Sequence, residues 1–441
     1  MGKIELDHTG SGSGVTLSSD GTDLLLDGTA IGGGGGGSPD LFADNDVSAT
    51  APSATGDNSV AIGPSSEANS ADATAFGYRS EAKASKAVAI GEGRAGGTSA
   101  TAISIGTTST AYGATGVNSI AMGYQAKATG TYSTALSQNS VATGQDGFAI
   151  GKGLASGNYS LAAVIANNST SYGATGANSV AIGYRAKASQ SYAFATGYEA
   201  QATNNTSISM GFQSVSSGSQ SIALGYKGQA TGIKSFGVHN NTNGGATGTN
   251  SVAIGDSCLA SSVNSIAIGQ NAKADANTSV AIGKYVDTKG IFGKFVFSAA
   301  SLSGNADGSS QSGKQVLMCD TTDATAEALN AHNGTASATN QVILPNNSAY
   351  FFSGTCVARE SATDGTDMGA WEFKGCIRRE ANAGTTTLVS STIDEFSAPT
   401  GWSIALSADT TNGGLAVTVT GAASTNIRWV ATVHTSEVTY A

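Results

Sequence analysis

The chain has 441 residues, 60 of them glycine and only 12% of them charged, with a formal net charge of −10. That length exceeds one ordinary compact domain, and little charge beside 39% hydrophobic residues excludes a disordered chain in favour of repetitive β-structure. The acidic balance excludes nucleic acid as a partner, because a phosphate backbone needs a basic footprint.

Residues 1–31 alternate short apolar runs with Asp-Gly turns: Val15 to Leu17, Asp20-Gly21, Leu24 to Leu26, Asp27-Gly28. This is hairpin chemistry. The string GVTLSSDGTDLLLDGTAIG resembles an N-terminal segment of phage tail proteins, which implies a small β-element that docks a fibre to its particle; an arm that pairs only with other copies is the alternative. Gly32 to Gly37 and Ser38-Pro39 then predict a hinge-like linker over 32–50. The GxGxxG matches inside it have no nucleotide-binding meaning, since no βαβ unit surrounds them.

Over 51–288 the hexapeptide Asn58-Ser59-Val60-Ala61-Ile62-Gly63 recurs, unchanged or with one or two swaps, at Asn118 to Gly123, Asn178 to Gly183, Asn250 to Gly255, Asn264 to Gly269 and Thr278 to Gly283. Short-period self-similarity has to be settled before any other reading. Sixteen units close at positions 63, 77, 91, 106, 123, 137, 151, 166, 183, 197, 211, 225, 237, 255, 269 and 283. The commonest step is 14, and the offsets 14, 14, 15 and 17 occur twice in succession, so four units form a block of 60. The residue before the closing one is large and apolar in fifteen units, Thr196 being the exception, and the residue two before is Ala or Ser in all but Val164.

Alternation is the strand signal. A second, fainter strand carries small residues three and five places after the closing one, as at Ser80 and Ala82 or Ala126 and Ala128, with Glu81 and Lys127 between them facing water. Two strands and two tight turns use up 14 residues, so each unit is one coil of a narrow parallel solenoid. Such a coil encloses too little apolar volume to offset the entropy of ordering it. The flat Ala/Ser side is therefore expected to be the seam along which copies of the chain meet, and a threefold ring is the simplest closed arrangement. Tyr78, Tyr124, Tyr184, Tyr198, Phe212 and Tyr226 follow closing residues and either cover turns and the seam or offer stacking surfaces for sugar rings.

These units resemble the head repeats of trimeric autotransporter adhesins of the YadA type, which centre on S-V-A-I-G. The resemblance implies a trimeric left-handed parallel β-roll. A bacterial adhesin of that type would carry an export signal and a membrane anchor. No apolar run here approaches a membrane span, and the first 30 residues lack the layout of a secretory signal. The expectation is thus a fragment, or a tail fibre or tailspike made in the host cytoplasm.

After Gly283 the period breaks, and 289–339 reads as a neck, with Ile291 to Phe297 apolar, Gln315 to Cys319 a strand, and Thr321 to Ala338 of weak helical or turn character. All three tryptophans lie in 340–441, with candidate strands at Gln341 to Leu344, Ala349 to Arg359, Met368 to Arg379, Thr386 to Ile393, Trp402 to Ala408, Leu415 to Thr420 and Ile427 to Thr439. Closely spaced strands with Gly-rich turns predict an antiparallel β-sandwich or jelly roll. The strings LPNNSAYFFSGTCVARE, WEFKGCIRRE and TNIRWVATVHTSEVTY resemble a C-terminal domain recurrent in phage tail fibre and tailspike proteins.

No catalytic constellation emerges. His8, His239, His332 and His434 are scattered, and no metal set or nucleophile and base pair stands at a usable spacing. Asp364, Asp367 and Glu372 cluster near one loop but read as solvated charges. Cys258 sits at a small inward position, and a Cys356 to Cys376 bridge is open to geometry though unusual in a reducing cytosol. The expectation is an all-β, non-enzymatic homotrimer without metal or cofactor. Its N-terminus would dock to a phage tail, baseplate or adaptor, and its tip to a host surface glycan or outer-membrane protein. Contacts are expected on tip loops at Ser361, Asp364 and Asp367 and at Asp409 and Asn412. A polysaccharide depolymerase with an intersubunit site and a bacterial adhesin passenger are the alternatives.

Overall fold

The computed structural model describes residues 4–6, 15–19, 24–26, 29–30, 50–106, 109–164, 171–238, 244–302 and 307–440. The glycine linker at 32–37, the Asp-Gly turns of the first 31 residues, Ala166, His8 and His239 lie outside them. The chain divides into two compact units, Met1–Tyr192 and Ala193–Ala441.

In the first unit Ile4–Leu6, Val15–Ser19, Leu24–Leu26 and Thr29–Ala30 pair in order as an antiparallel meander. From Ser53 the chain coils. Three-residue strands such as Val60–Ile62, Thr74–Phe76 and Val88–Ile90 stack in one parallel ladder with Ala61, Ala75 and Ala89 side by side. Two-residue strands such as Glu67–Ala68 and Glu81–Ala82 stack in a second. Both ladders run on, through Val180–Ile182 and Lys187–Ala188.

The turns explain the repeat. Asn58 has φ 54 and Ser65 φ 56, and the same left-handed conformation returns at Asp72, Arg79 and Lys86, every seven residues. Each coil is thus two near-equivalent halves. Where a serine follows such a residue it closes the turn: Ser59 Oγ donates to Gly56 O at 2.7 Å, Ser66 Oγ to Gly63 O at 2.8 Å, and Ser119 Oγ to Gly116 O at 2.7 Å. The closing glycines supply turn conformation, with φ 110 at Gly63, 105 at Gly77 and 113 at Gly123, and other glycines are required for close stacking. A Cβ on Gly116 would collide with the Gly130 carbonyl of the next coil, and one on Gly130 with that of Gly144.

The interior corrects the expected seam. Ala75, Ala89, Ala102 and Ala121 of the first ladder, and Ala68, Ala82, Ala95 and Ala114 of the second, are fully buried within the single chain. The two ladders of one coil enclose a layer that admits little more than a methyl or a hydroxymethyl group. The large side chains therefore point outward: Val60 is 40% exposed, Phe76 53%, Ile90 36% and Met122 39%. Alanine fills the coil, and the surface left wet is the Val, Ile, Met and Phe one.

Ladder register also corrects three closing positions. Ala102 stands beside Ala89 and Ala121, so that unit closes at Ser104, with φ 51, and not at 106. Ala162 stands beside Ala149, which moves the next such unit from 166 to Val164. In the second unit Gly237 stands beside Ala223 and Ala253, so it is the small inward residue of its unit and not the closing one. In each case the small inward residue fixes register, and a nearby glycine or small residue mimicked the end of a unit.

The second unit begins with two ladders of the same kind, Phe194–Thr196 through Val280–Lys284 and Gln201–Ala202 through Lys273–Ala274. One more coil follows inside the segment read as a neck. Strand β1 (Phe295–Ser298) pairs in parallel with Val280–Lys284 and places Val296 beside Ala281. It then pairs antiparallel with β2 (Ser310–Thr321), so the solenoid sheet passes directly into the C-terminal domain.

That domain consists of two antiparallel sheets. β2 is followed by β3 (Ala326–Ala328), which lies where sequence suggested helix or turn, and by β4 (Val342–Ile343). The rest are β5 (Ser348–Glu360), β6 (Met368–Arg379), β7 (Thr387–Ser397), β8 (Ser403–Asp409), β9 (Gly414–Thr420) and β10 (Ile427–Thr439). The large sheet runs β1, β2, β10, β5, β6, β7. The small one has β9 paired with β3, β4 and β8. Trp371, Trp402 and Trp429 meet between the sheets with Phe352, Phe373, Leu415 and Val417. Trp371 and Trp429 stack at 5.5 Å, and Trp429 Nε1 donates to Thr321 Oγ1 at 2.9 Å. Strand alternation buries one side of β2, β5, β6 and β10 and leaves the other in water, whereas β7 is exposed along nearly its whole length.

Candidate functional site

The expected contact residues fall at opposite ends of the large sheet. Ser361, Asp364 and Asp367 lie in the β5–β6 connection, beyond Glu360 and before Met368. Asp409 and Asn412 lie at the β8–β9 connection, near Arg379, which is paired with Ser348 at the start of β5. Strands of 13 residues, each rising about 3.3 Å per residue, separate the two groups. They cannot form one site. Hairpin connectivity causes this, since neighbouring antiparallel strands send successive loops to alternate ends.

The Asp409 loop is closed on itself. Asp409 Oδ1 accepts the amides of Thr411 and Asn412, each at 2.9 Å, and Asn412 Nδ2 donates to Asp409 Oδ2 at 2.7 Å. Its neighbour Arg379 Nη1 donates to Leu344 O at 2.6 Å. Every one of these groups serves turn structure.

The other end is open. Asp364 Oδ2 accepts Asn426 N at 3.0 Å and Asn426 Nδ2 at 2.8 Å, and Ser361 N donates to Asn426 O at 2.8 Å. These bonds clamp the β5–β6 loop to the segment before β10. Glu360 Oε2 accepts Asp367 N at 3.1 Å. Between the clamped loops and the end of β2 lies a cleft of about 620 Å3, lined by Asp320, Thr321, Thr322, Arg359, Glu360, Ser361, Ala362, Asn426, Ile427 and Arg428. Across its floor Asp320, Arg428 and Arg359 are successive ladder partners. Arg428 Nε stands 3.5 Å from Asp320 Oδ1 in an exposed pair worth little stability. Two like charges directly opposite in a ladder are unfavourable unless something between them is negative or strongly polar.

Chemically the cleft offers guanidinium and amide donors beside carboxylate and hydroxyl acceptors, with no net charge. That balance suits a hydroxyl-rich ligand. Sequence reasoning found Ser361 and Asp364 but missed Arg359, Arg428, Asp320 and Asn426. The available signal was the outward register of Arg359 and Arg428 at the ends of two alternating runs, each next to a buried partner. Among the described residues no group of three His, Cys, Asp or Glu side chains is placed to hold a metal ion.

The cysteines are free, and Cys356 and Cys376 are not bridge partners. Cys356 faces Trp371 across the ladder and is buried, whereas Cys376 faces Phe351. They stand five ladder positions apart on opposite faces of the sheet.

Along the repeats, Tyr198, Phe212 and Tyr226 form an exposed stack with centroids 5.0 and 5.2 Å apart. Their rings already face one another at stacking distance.

A model of the YadA head domain repeat matches residues 54–80, 68–93, 114–136, 174–200, 202–227, 246–257 and 260–285. No curated protein matches the chain. The family matches pass over 94–113 and 137–173, where the steps from Ile103 to its ladder partner Met122 and from Ala163 to its ladder partner Ile182 are longer than the common 14. These repeats mark the chain as adhesin-like and are consistent with assembly of three copies.

Proposed function

We propose that the chain is a non-enzymatic attachment protein of the phage tail fibre or tailspike kind. It acts as a homotrimer, resides in the virion tail after synthesis in the host cytoplasm, and meets the host surface through the C-terminal domain. The observation that carries this reading is the outward apolar ladder of the repeats, which a single chain leaves in water and which copies of the same chain would cover. The phage assignment rests further on the resemblance of the 315–441 segment and of the first 31 residues to phage tail proteins.

The mechanism is multivalent contact. Three weak distal clefts on one assembly gain avidity, because the second and third contacts are effectively intramolecular. A surface glycan fits the cleft's neutral mixture of donors and acceptors. Labelling virions with an antibody against the last hundred residues tests this. Label at the tail supports the reading, and label absent from intact particles sinks it.

The head-repeat match favours equally a bacterial surface adhesin. Neighbouring genes for tail or lysis proteins, or for an export system, separate the two. Release of new reducing ends from host capsule or lipopolysaccharide would replace the non-enzymatic reading with a depolymerase.

A further inference from the structure

We propose that the outward face of the large C-terminal sheet, together with its edge strand β7, is the surface on which two further copies of this chain close. This rests on the three-copy reading of the repeats and adds to it which face of the tip domain is internal.

Continuity is the first reason. Ile282 stands beside Phe297, Phe297 beside Ser312, Ser312 beside Ser436, Ser436 beside Phe351, and Phe351 beside Cys376. One ladder row thus carries the outward face of the last repeats onto the outward face of the tip without a break. Copies that cover Val280 and Ile282 must go on to meet this face.

Its chemistry fits a copy of itself. Phe351 is 53% exposed and Val357 48%, while their strand neighbours Phe352 and Ala358 are fully buried. Phe351, Cys376, Val389 and Val438 help to line an open, mainly apolar depression of about 440 Å3. A basic row, Lys314, His434 and Lys374, lies two residues along from an acidic one, Glu372 and Asp394. A second copy supplies both signs, whereas a polyanion or polycation would meet as much repulsion as attraction.

The edge points the same way. Among the described residues β7, 11 residues long, pairs only with β6, and Val389 and Phe396, at the two register shifts of that pairing, lie largely in water. A long edge with exposed apolar side chains is a pairing hazard unless covered. The small sheet of β3, β4, β8 and β9 then remains outside for ligands, and the distal cleft, whose floor residues Asp320, Arg428 and Arg359 share the outward face, stays open only at the free end of the sheet.

Cys376 reports on this arrangement, because the other three cysteines are buried. The test treats the full native chain with short bismaleimides of two lengths and reads molar mass by light scattering in parallel. The expected result is three chain masses, covalent dimers on a denaturing gel, and their loss in Cys376→Ser. Placing lysines at the facing pair, Val357→Lys with Val430→Lys, should cut the cross-link about tenfold or more while the repeats hold the mass at three chains. Three chain masses with no Cys376 cross-link and no effect of the lysines would overturn this face and leave the three-copy reading intact. A single chain mass would overturn the three-copy reading itself.

Discussion

Lys294 Nζ and Glu437 Oε1 stand 2.8 Å apart with side chains 5% and 0% exposed, tying the last coil to the last strand of the C-terminal domain. Gln311 Nε2 and Thr435 Oγ1 donate to the same carboxylate at 2.8 and 2.7 Å, so its lone pairs are well used. A buried pair of this kind is not a large net stabiliser, but breaking it is costly. Glu437→Gln should destabilise this unit by about 3–5 kcal/mol, because Lys294 is left buried and uncompensated. Denaturation followed by fluorescence of Trp371 and Trp429 measures it. Lys294→Met with Glu437→Leu should recover most of the loss.

The same junction sets a pH dependence. Burial alone would raise the Glu437 carboxyl, but the Lys294 ammonium and the hydrogen bonds from Lys294, Gln311 and Thr435 outweigh it and hold it below the ordinary value of 4.5. Its contribution is complete above the unfolded value and is lost as pH falls through the lower folded one. Lys289 is depressed as well, but because burial disfavours its charged form. Burial pushes its ammonium down from 10.5 to about 8, against a partial pull upward from Glu437. Between those values the unfolded chain holds more protons, so stability should rise as pH climbs from about 8 towards 10.5. Lys289→Met should flatten that rise in thermal melts recorded across the range.

Neighbouring residues on one repeat strand should respond in opposite ways. Ala89 is fully buried in the coil, and Ala89→Val should cost about 1–3 kcal/mol by overpacking a layer that admits only a methyl. Ile90 faces outward, and Ile90→Asp should leave the β-sheet circular dichroism unchanged while weakening association of copies.

The distal cleft and the Asp409 loop can be told apart by binding. Arg359→Gln, Arg428→Gln and Asp364→Ala should each reduce the protein's ability to block adsorption to host cells, the last by releasing Asn426. Asp409→Ala, at the other end of the sheet, should leave it unchanged. Equal effects from both loops would contradict the assignment of the contact surface to the cleft.

Much of the fold was legible because alternation and turn chemistry are local. The strand at Met368–Arg379 and the repeated Ser-Val-Ala-Ile-Gly units are written in their own residues. What Ala61 and Val60 each face was not, since alternation assigns two sides without saying which is inside. Only the narrowness of a seven-residue half-coil decides that alanine goes in. The contact loops were misjudged as a group for a related reason: Asp364 and Asp409 are both at strand ends, and which end depends on pairing order, a property of the whole sheet. Arg359 and Arg428 meet only because β5 and β10 are ladder partners, 69 positions apart in sequence.

The most direct test is the molar mass of the undenatured full chain by light scattering across a dilution series. Three times the mass of one chain, unchanged on dilution, is the predicted result. A well-folded species with the mass of a single chain, its Val, Ile, Met and Phe face open to water, would contradict the account.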